Sequence, residues 1–303
     1  MGAELLTTTL GETIAVPGQD QRVGFAVESI ASEESQGKVS IIIPAYNESE
    51  RLASRLQSIL TSFEDAFKVG AYELILVTDG CLDATFETAQ NYGGQLWSIR
   101  TIRFTERLGK GGAIIKALDI TTGDPIVLLD ADDSVPPESV LKLVEATRHC
   151  DLAIGSRYVR EARLLVGEPP LRFSLGRAFN AYVRLMFWSL RGIKDTQCGA
   201  KALRRHAIGR IRKDLFITDF VFDLNLIVSA LKHGFVVKEV GIEWEHIESE
   251  SKVSAALVRF VLLMGFSVIR LRMYYSRCRR LLQARGILEL AGFLWHFAMT
   301  ERK

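Results

Sequence analysis

A chain of 303 residues, 48% hydrophobic and 24% charged, is long enough to bury a full core as one large domain or two small ones. Its formal net charge of +2 argues against a nucleic-acid binder held by a general basic field. The four cysteines, Cys81, Cys150, Cys198 and Cys278, are scattered with no CxxC pair, which suggests neither a zinc site nor a disulfide framework and fits a reducing, cytoplasmic-side location.

Residues 1–37 read as a polar extension. They lack the basic start and apolar core of a secretory signal, and Leu6 stands where a myristoylation signal needs Ser or Thr. From Val39 the pattern changes. Val39–Ile43 is a β-branched run stopped by Pro44, a buried strand meeting a loop. Leu52, Leu56, Ile59, Leu60 and Phe63 then recur at helical spacing within 49–67. Strands are expected over 72–77, 98–104, 125–129 and 151–155, with helices over 83–92, 111–120 and 137–149. This alternation predicts an α/β fold: a mostly parallel central sheet with helices on both faces. The polar clusters fall just after the strands, where such sheets place their ligands.

The C-terminal part differs. Ala255–Ile269 is apolar but interrupted by Arg259 and closed by Arg270 and Arg272, and a second apolar stretch over 287–299 holds Trp295. A spanning helix wants roughly 20 apolar residues. The first run is better suited to an interfacial helix, with Arg277, Arg279 and Arg280 near anionic headgroups. Helices that simply cap the core are the competing reading. The expected division is a polar extension at 1–37, a catalytic domain at 38–252 and apolar, basic C-terminal helices at 253–303.

Asp130-Ala131-Asp132 closes an apolar strand. Two carboxylates one residue apart can share a hard divalent cation and leave positions open for phosphates, although acid pairs of this kind also occur in solvated turns. Pro44, Tyr46 and Glu48 follow the first strand and place an aromatic ring and polar groups where a base could stack and bond. Asp79, after the second strand, could accept a hydrogen bond from a nucleobase or ribose. Lys110-Gly111-Gly112-Ala113 supplies a cation and small residues at a helix start suited to an anion. The spacing is not that of a P-loop, and no GxGxxG follows the first strand.

PAYNE at 44–48, TDGCLDAT at 78–85, GKGGA at 109–113 and DADD at 130–133, in this order, resemble the inverting family 2 glycosyltransferases of the GT-A fold. Ile193-Lys-Asp-Thr-Gln-Cys-Gly199, Phe222-Asp223 and Trp244-Glu-His246 narrow the resemblance to the dolichyl-phosphate β-glucosyltransferases and other polyprenyl-phosphate relatives. It covers about Val39 to Arg272. The resemblance implies that Pro44, Tyr46, Glu48, Asp79 and Ala131 hold the nucleoside of a UDP-sugar, that Lys110 faces the nucleotide, and that Asp130 and Asp132 bind Mg²⁺ or Mn²⁺ with His246 as a further ligand. Thr78 stands where the family usually has a second acid, which could alter donor preference. Arg157, Gln197, Cys198 and Gly199 would line the sugar and acceptor side, with Arg204 and Arg205 as further phosphate candidates. Either Asp223 or Asp219 would face the reacting oxygen.

The implied reaction transfers glucose from UDP-glucose to a lipid phosphate at a membrane surface. GDP-mannose as donor, a soluble or polysaccharide acceptor, and a catalytically silent nucleotide-binding scaffold are the alternatives. The Gln-x-x-Arg-Trp signature of processive synthases is not found.

Overall fold

The computed structural model describes residues 38–66, 70–95, 98–132, 134–166, 170–245 and 255–276. The N-terminal extension and the 287–299 stretch lie outside them.

Four strands and their helices open the chain in the expected order: β1 (Val39–Ala45), α1 (Ser49–Ala66), β2 (Tyr72–Asp79), α2 (Thr85–Gln95), β3 (Ile99–Phe104), α3 (Lys110–Ala117), β4 (Ile126–Leu128) and α4 (Pro137–Ala146). The second part runs β5 (Leu152–Ser156), β6 (Arg163–Val166), α5 (Pro170–Met186), β7 (Lys201–Leu203), α6 (Arg205–Ile211), α7 (Phe222–Lys232), β8 (Val237–Gly241), β9 (Glu243–Glu245) and α8 (Ala255–Tyr274). The seven-stranded sheet has the order β3-β2-β1-β4-β7-β5-β8, and β6 pairs with β9 in a separate two-stranded sheet.

Successive residues of a strand point to opposite faces, and β1 is apolar on both. Ile41 and Ile43 pack in one layer with Leu52, Leu56 and Ile59 of α1. Ile42 packs in the other with Ile114 of α3 and Leu224 of α7. Each such side chain contributes roughly 1.5–3 kcal/mol by leaving water.

The sheet is parallel except at β7, which runs antiparallel to both β4 and β5. That reversal sets Lys201 beside Leu128 and Ile154. The start of β7 and the ends of β4 and β5 therefore meet at one edge.

No helix among the described residues is long and apolar enough to cross a membrane. In α8, Val268 and Leu271 are fully buried in the layer beneath α5 and α7. The Tyr182 hydroxyl of α5 donates to the Gly265 carbonyl at 3.3 Å. This half of the apolar run caps the core, as the competing reading of the sequence allowed.

Glu73 ties the edge of the sheet opposite the clustered strand ends. Its carboxylate accepts from Ser40 Oγ at 2.5 Å, from the Thr122 amide at 2.6 Å and from Arg100 at 2.8 Å. Burial alone would raise this carboxyl; the Ser40 and Thr122 hydrogen bonds and the Arg100 charge outweigh it and hold the pKa below the ordinary value. A depressed carboxylate pKa stabilises the fold above the unfolded value of about 4.3, and that contribution is lost as pH falls through the lower folded value. Glu73→Gln is therefore expected to cost about 1–3 kcal/mol at pH 7. In urea unfolding its deficit against the native chain should shrink below about pH 4; a deficit that stays constant into acid would contradict this account.

Candidate active site

Asp130 lies just beyond β4, with its side chain 36% exposed. Its Oδ1 accepts from Lys110 Nζ at 2.8 Å, and the same ammonium donates to Asp223 Oδ2 at 2.9 Å. Asp223 Oδ1 takes Lys201 Nζ at 2.7 Å, and Lys201 also donates to the Cys198 carbonyl. The result is a chain of alternating charge, Lys201–Asp223–Lys110–Asp130, that starts in the core and ends at the surface. Lys201 is 0% exposed and Asp223 2%.

The charges fix one another. Burial would raise the Asp223 carboxyl, but Lys110 and Lys201 outweigh it and hold it below its usual range. Burial would lower the Lys110 ammonium, and Asp130 and Asp223 instead hold it well above its ordinary value. At Asp130 burial dominates and raises the pKa; Lys110 opposes this, while Asp132 and Asp223 add to it.

Two glycines make this packing feasible. A Cβ on Gly199 would lie 1.9 Å from Asp130 Oδ2, and one on Gly111 would lie 2.4 Å from the Ile217 carbonyl and 2.6 Å from Phe222 Cβ. The first allows the Asp195–Gly199 turn to lie against Asp130; the second allows α3 to sit on α7.

Asp132 Oδ1 accepts the Ser134 hydroxyl at 2.5 Å. Ala131 between the two acids is buried. Among the described residues no group of three His, Cys, Asp or Glu side chains is gathered for a metal, and His246 lies outside them. The strand end nevertheless fits a hard cation. It offers carboxylate oxygens from Asp130 and Asp132, while both oxygens of Asp223 are taken by ammonium groups. Such an ion takes its remaining positions from phosphate and water.

Around this centre the other expected residues fall into three groups. Pro44 and Tyr46 are half-buried at the end of β1, and Glu48 pairs with Arg51 at 2.7 Å. Burial raises the Glu48 carboxyl, against the pull of Arg51. Asp79 is 3% exposed and turned inward, accepting the Leu108 and Gly109 amides at 2.6 and 2.8 Å. Burial pushes its carboxyl up. On the other side Arg157 grips the fully buried Asp195 through Nε at 2.8 Å and Nη2 at 3.1 Å, and Asp195 also accepts the Gln197 amide at 3.2 Å. Cys198 is buried, its thiol pushed up to about 12 chiefly by burial and next by Asp195.

The two rival acids have different surroundings. Asp223 belongs to the charge chain. Asp219 accepts the Val221 amide at 2.7 Å and the Ser267 hydroxyl of α8, so it faces the other way.

Two expectations are corrected. The α3 start offers no open anion cradle, because the Gly111 and Gly112 amides both donate to the Thr218 carbonyl, at 2.9 and 3.2 Å. Arg204 and Arg205 are bound to Asp124 and to the Gly123 carbonyl. Those residues precede β4, at the end of the strand remote from Asp130.

Lys201 went unrecognised in the sequence. Its only signal is a lysine in a strand that is otherwise buried. Arg107, whose guanidinium lies 3.6 Å from the centroid of the Tyr46 ring, had none.

The fold is of the GT-A-like class, and the glycosyl transferase family 2 model matches residues 40–212. The chain belongs to that family. It is similar to glycosyltransferase AglD of Haloferax volcanii, 33% identical over 235 residues, 77% of this chain and 36% of that one. It is also similar to human dolichyl-phosphate beta-glucosyltransferase, 30% identical over 230 residues, 71% of this chain and 70% of that one. Among solved structures, glucosyl-3-phosphoglycerate synthase of Mycobacterium tuberculosis with Mn²⁺, UDP-glucose and phosphoglyceric acid shares the fold, with a TM-score of 0.57 at 19% identity over 76% of this chain and 79% of that one.

Gly199→Ala should push Asp130 off its position. A misplacement of this size costs roughly 100-fold in kcat/KM, with the folded chain retained. Steady-state transfer rates and a thermal melt check this; an alanine variant of native activity would show that the close approach is not required.

Proposed function

We propose that the chain is an inverting hexosyltransferase that moves glucose from UDP-glucose onto dolichyl or polyprenyl phosphate at the cytoplasmic face of a membrane. The carrying observation is the condition of Asp223. Both of its oxygens hold ammonium groups, at 2.7 and 2.9 Å, and its carboxyl is held below the usual range. Such a carboxylate is a poor proton acceptor, which favours an acceptor whose oxygen arrives already ionised. A phosphate monoester does, having a second pKa of about 6; a sugar hydroxyl would need a base. The name of the human relative supports the same acceptor and sugar.

In this reading Asp223 is a positioning residue. It orients Lys110, whose ammonium offsets negative charge at the strand end beside Asp130. Asp130 and Asp132 would hold Mg²⁺ or Mn²⁺, which when bound neutralises charge on the departing diphosphate. The Mn²⁺ in the mycobacterial synthase supports this choice of ion. Pro44, Tyr46 and Glu48 take the nucleoside side, with Asp79 bracing the loop behind them. Gln197 and Gly199 take the sugar and acceptor side, and Arg157 shapes that side through Asp195.

Membrane contact is assigned to the basic, apolar residues 277–303. Support also comes from Leu185 in the last turn of α5 and Trp188 just beyond it, 80% and 72% exposed. Because Val268 and Leu271 are core residues, a truncation that tests this must begin after Ser276.

The test is transfer of radiolabel from a panel of nucleotide sugars into organic-extractable lipid, with polyprenyl phosphate and Mn²⁺ supplied. Label should come from UDP-glucose and disappear with EDTA. Asp132→Ala should reduce it by at least about 100-fold with an unchanged melting temperature. Transfer that survives EDTA, or that goes only to soluble acceptors, would overturn the proposal. Removing 277–303 should release the chain from sedimented membranes; continued sedimentation would move the attachment elsewhere.

A further inference from the structure

The Asp195–Gly199 turn is secured at both ends. At its start the Lys194 and Asp195 amides donate to the Glu239 carboxylate of β8 at 2.9 and 2.8 Å, and Arg157 grips the Asp195 side chain. At its end Lys201 donates to the Cys198 carbonyl, and Gly199 lies against Asp130. The middle is held from α5. Asn180 Oδ1 accepts the Thr196 hydroxyl at 2.9 Å and the Thr196 amide at 3.4 Å, while its Nδ2 donates to the Gly176 carbonyl at 3.2 Å. The side-chain amide can point only one way, because the Thr196 N–H must donate and the Gly176 carbonyl must accept.

Asn180 is 3% exposed and Thr196 0%. On the same buried face of α5, Val183 and Phe187 are core residues. An apolar side chain at 180 would fill that space without the cost of desolvating an amide. What Asn180 adds is its hydrogen bonds, and two of the three go to Thr196.

We propose that Asn180 is a positioning residue for the transfer reaction: it fixes Thr196, and through Thr196 it sets Gln197 on the acceptor side of the site. This rests on the lipid-phosphate transfer reading above. Gln197 follows Thr196 directly and is half-buried, its own amide bonding back to Asp195 at 3.2 Å. With both ends of the turn clamped, loss of Asn180 loosens the middle and leaves the ends in place. A buried hydroxyl and amide robbed of their acceptor move to find another, and the shared peptide plane carries Gln197 with them. The charge chain does not pass through Asn180, and Pro44, Tyr46 and Glu48 lie on other elements. The defect is therefore one-sided: the acceptor is misplaced while the donor nucleotide and its metal are held as before.

The test is steady-state transfer from UDP-glucose to polyprenyl phosphate with Mn²⁺, donor and acceptor varied separately, beside calorimetric titration with UDP and Mn²⁺ and a thermal melt. Asn180→Ala should lower kcat/KM for the acceptor by about 10–100-fold, while UDP affinity stays within about twofold. Thr196→Val removes one of the two bonds to Asn180 and should show part of the same loss; Thr196→Ser restores the hydroxyl and should recover most of the rate. These two carry the test if the alanine chain does not fold. In the Thr196→Val background Asn180→Ala should cost less than in the native chain, because both changes break one interaction. Losses that simply multiply would show that Asn180 acts elsewhere and overturn the inference. UDP affinity that falls in step with transfer would make Asn180 a support of the fold at large and overturn it too, as would native acceptor kinetics in Asn180→Ala or Thr196→Val. A native chain that transfers only to a soluble acceptor would overturn the lipid reading, and the same split measured on that acceptor would still judge Asn180. A native chain that binds UDP and transfers to no acceptor would overturn both.

Discussion

A carboxylate and two ammonium groups can share a nearly dry space only if each keeps its partners, because a buried charge stripped of its counter-ion costs several kcal/mol. Asp223, Lys201 and Lys110 are held to that condition, and they come from three different elements: α7, β7 and α3. The condition fixes how those elements meet. The antiparallel entry of β7 brings Lys201 alongside the end of β4, and Gly111 lets α3 approach the start of α7. Asp130 is then the outermost member of a chain of charges whose other links cannot move without leaving a neighbour unpaired. The site owes its position to electrostatics in the core and not to the loop that displays it.

The first half of the molecule was legible because its strands are long, β-branched and followed by helices of regular period. Val39–Ile43 and Tyr72–Val77 stand as strands very nearly where the pattern put them. Later parts were not. β7 and β9 span three residues each, too few for a period to register, and nothing in Lys201-Ala-Leu203 announces an antiparallel strand. The acid pair at 130 and 132 could be seen from its place at a strand end. That Lys110 would be bound between two acids could not, because its partner Asp223 is more than a hundred residues away.

Arginines were the hardest residues to place. Arg157, Arg204 and Arg205 look alike as surface cations near glycine or polar turns, yet none is available in the way such a residue suggests. Arg157 is spent on a buried aspartate, and the other two brace the turn before β4. Composition reports a charge; only the fold reports its counter-charge. The same holds for the apolar run of α8. Its hydrophobicity fits a membrane surface or a core equally well, and Val268 and Leu271 belong to the core.

The position of β7 also bears on the order in which the chain can assemble. Strands β3, β2, β1 and β4 all lie within residues 39–128, so this half of the sheet needs only contacts formed within that stretch. The β4–β7 pairing must wait for Lys201–Leu203, and closing so long a loop is slow relative to the local pairings before it. Until then Asp130 and Asp132 stand at the edge of an unfinished sheet, beside Lys110 but without Asp223 or Lys201. During synthesis the part proposed to hold a nucleotide can therefore be shaped before the chain of charges beside it is complete, and an interrupted chain ending near residue 150 would hold the first and lack the second.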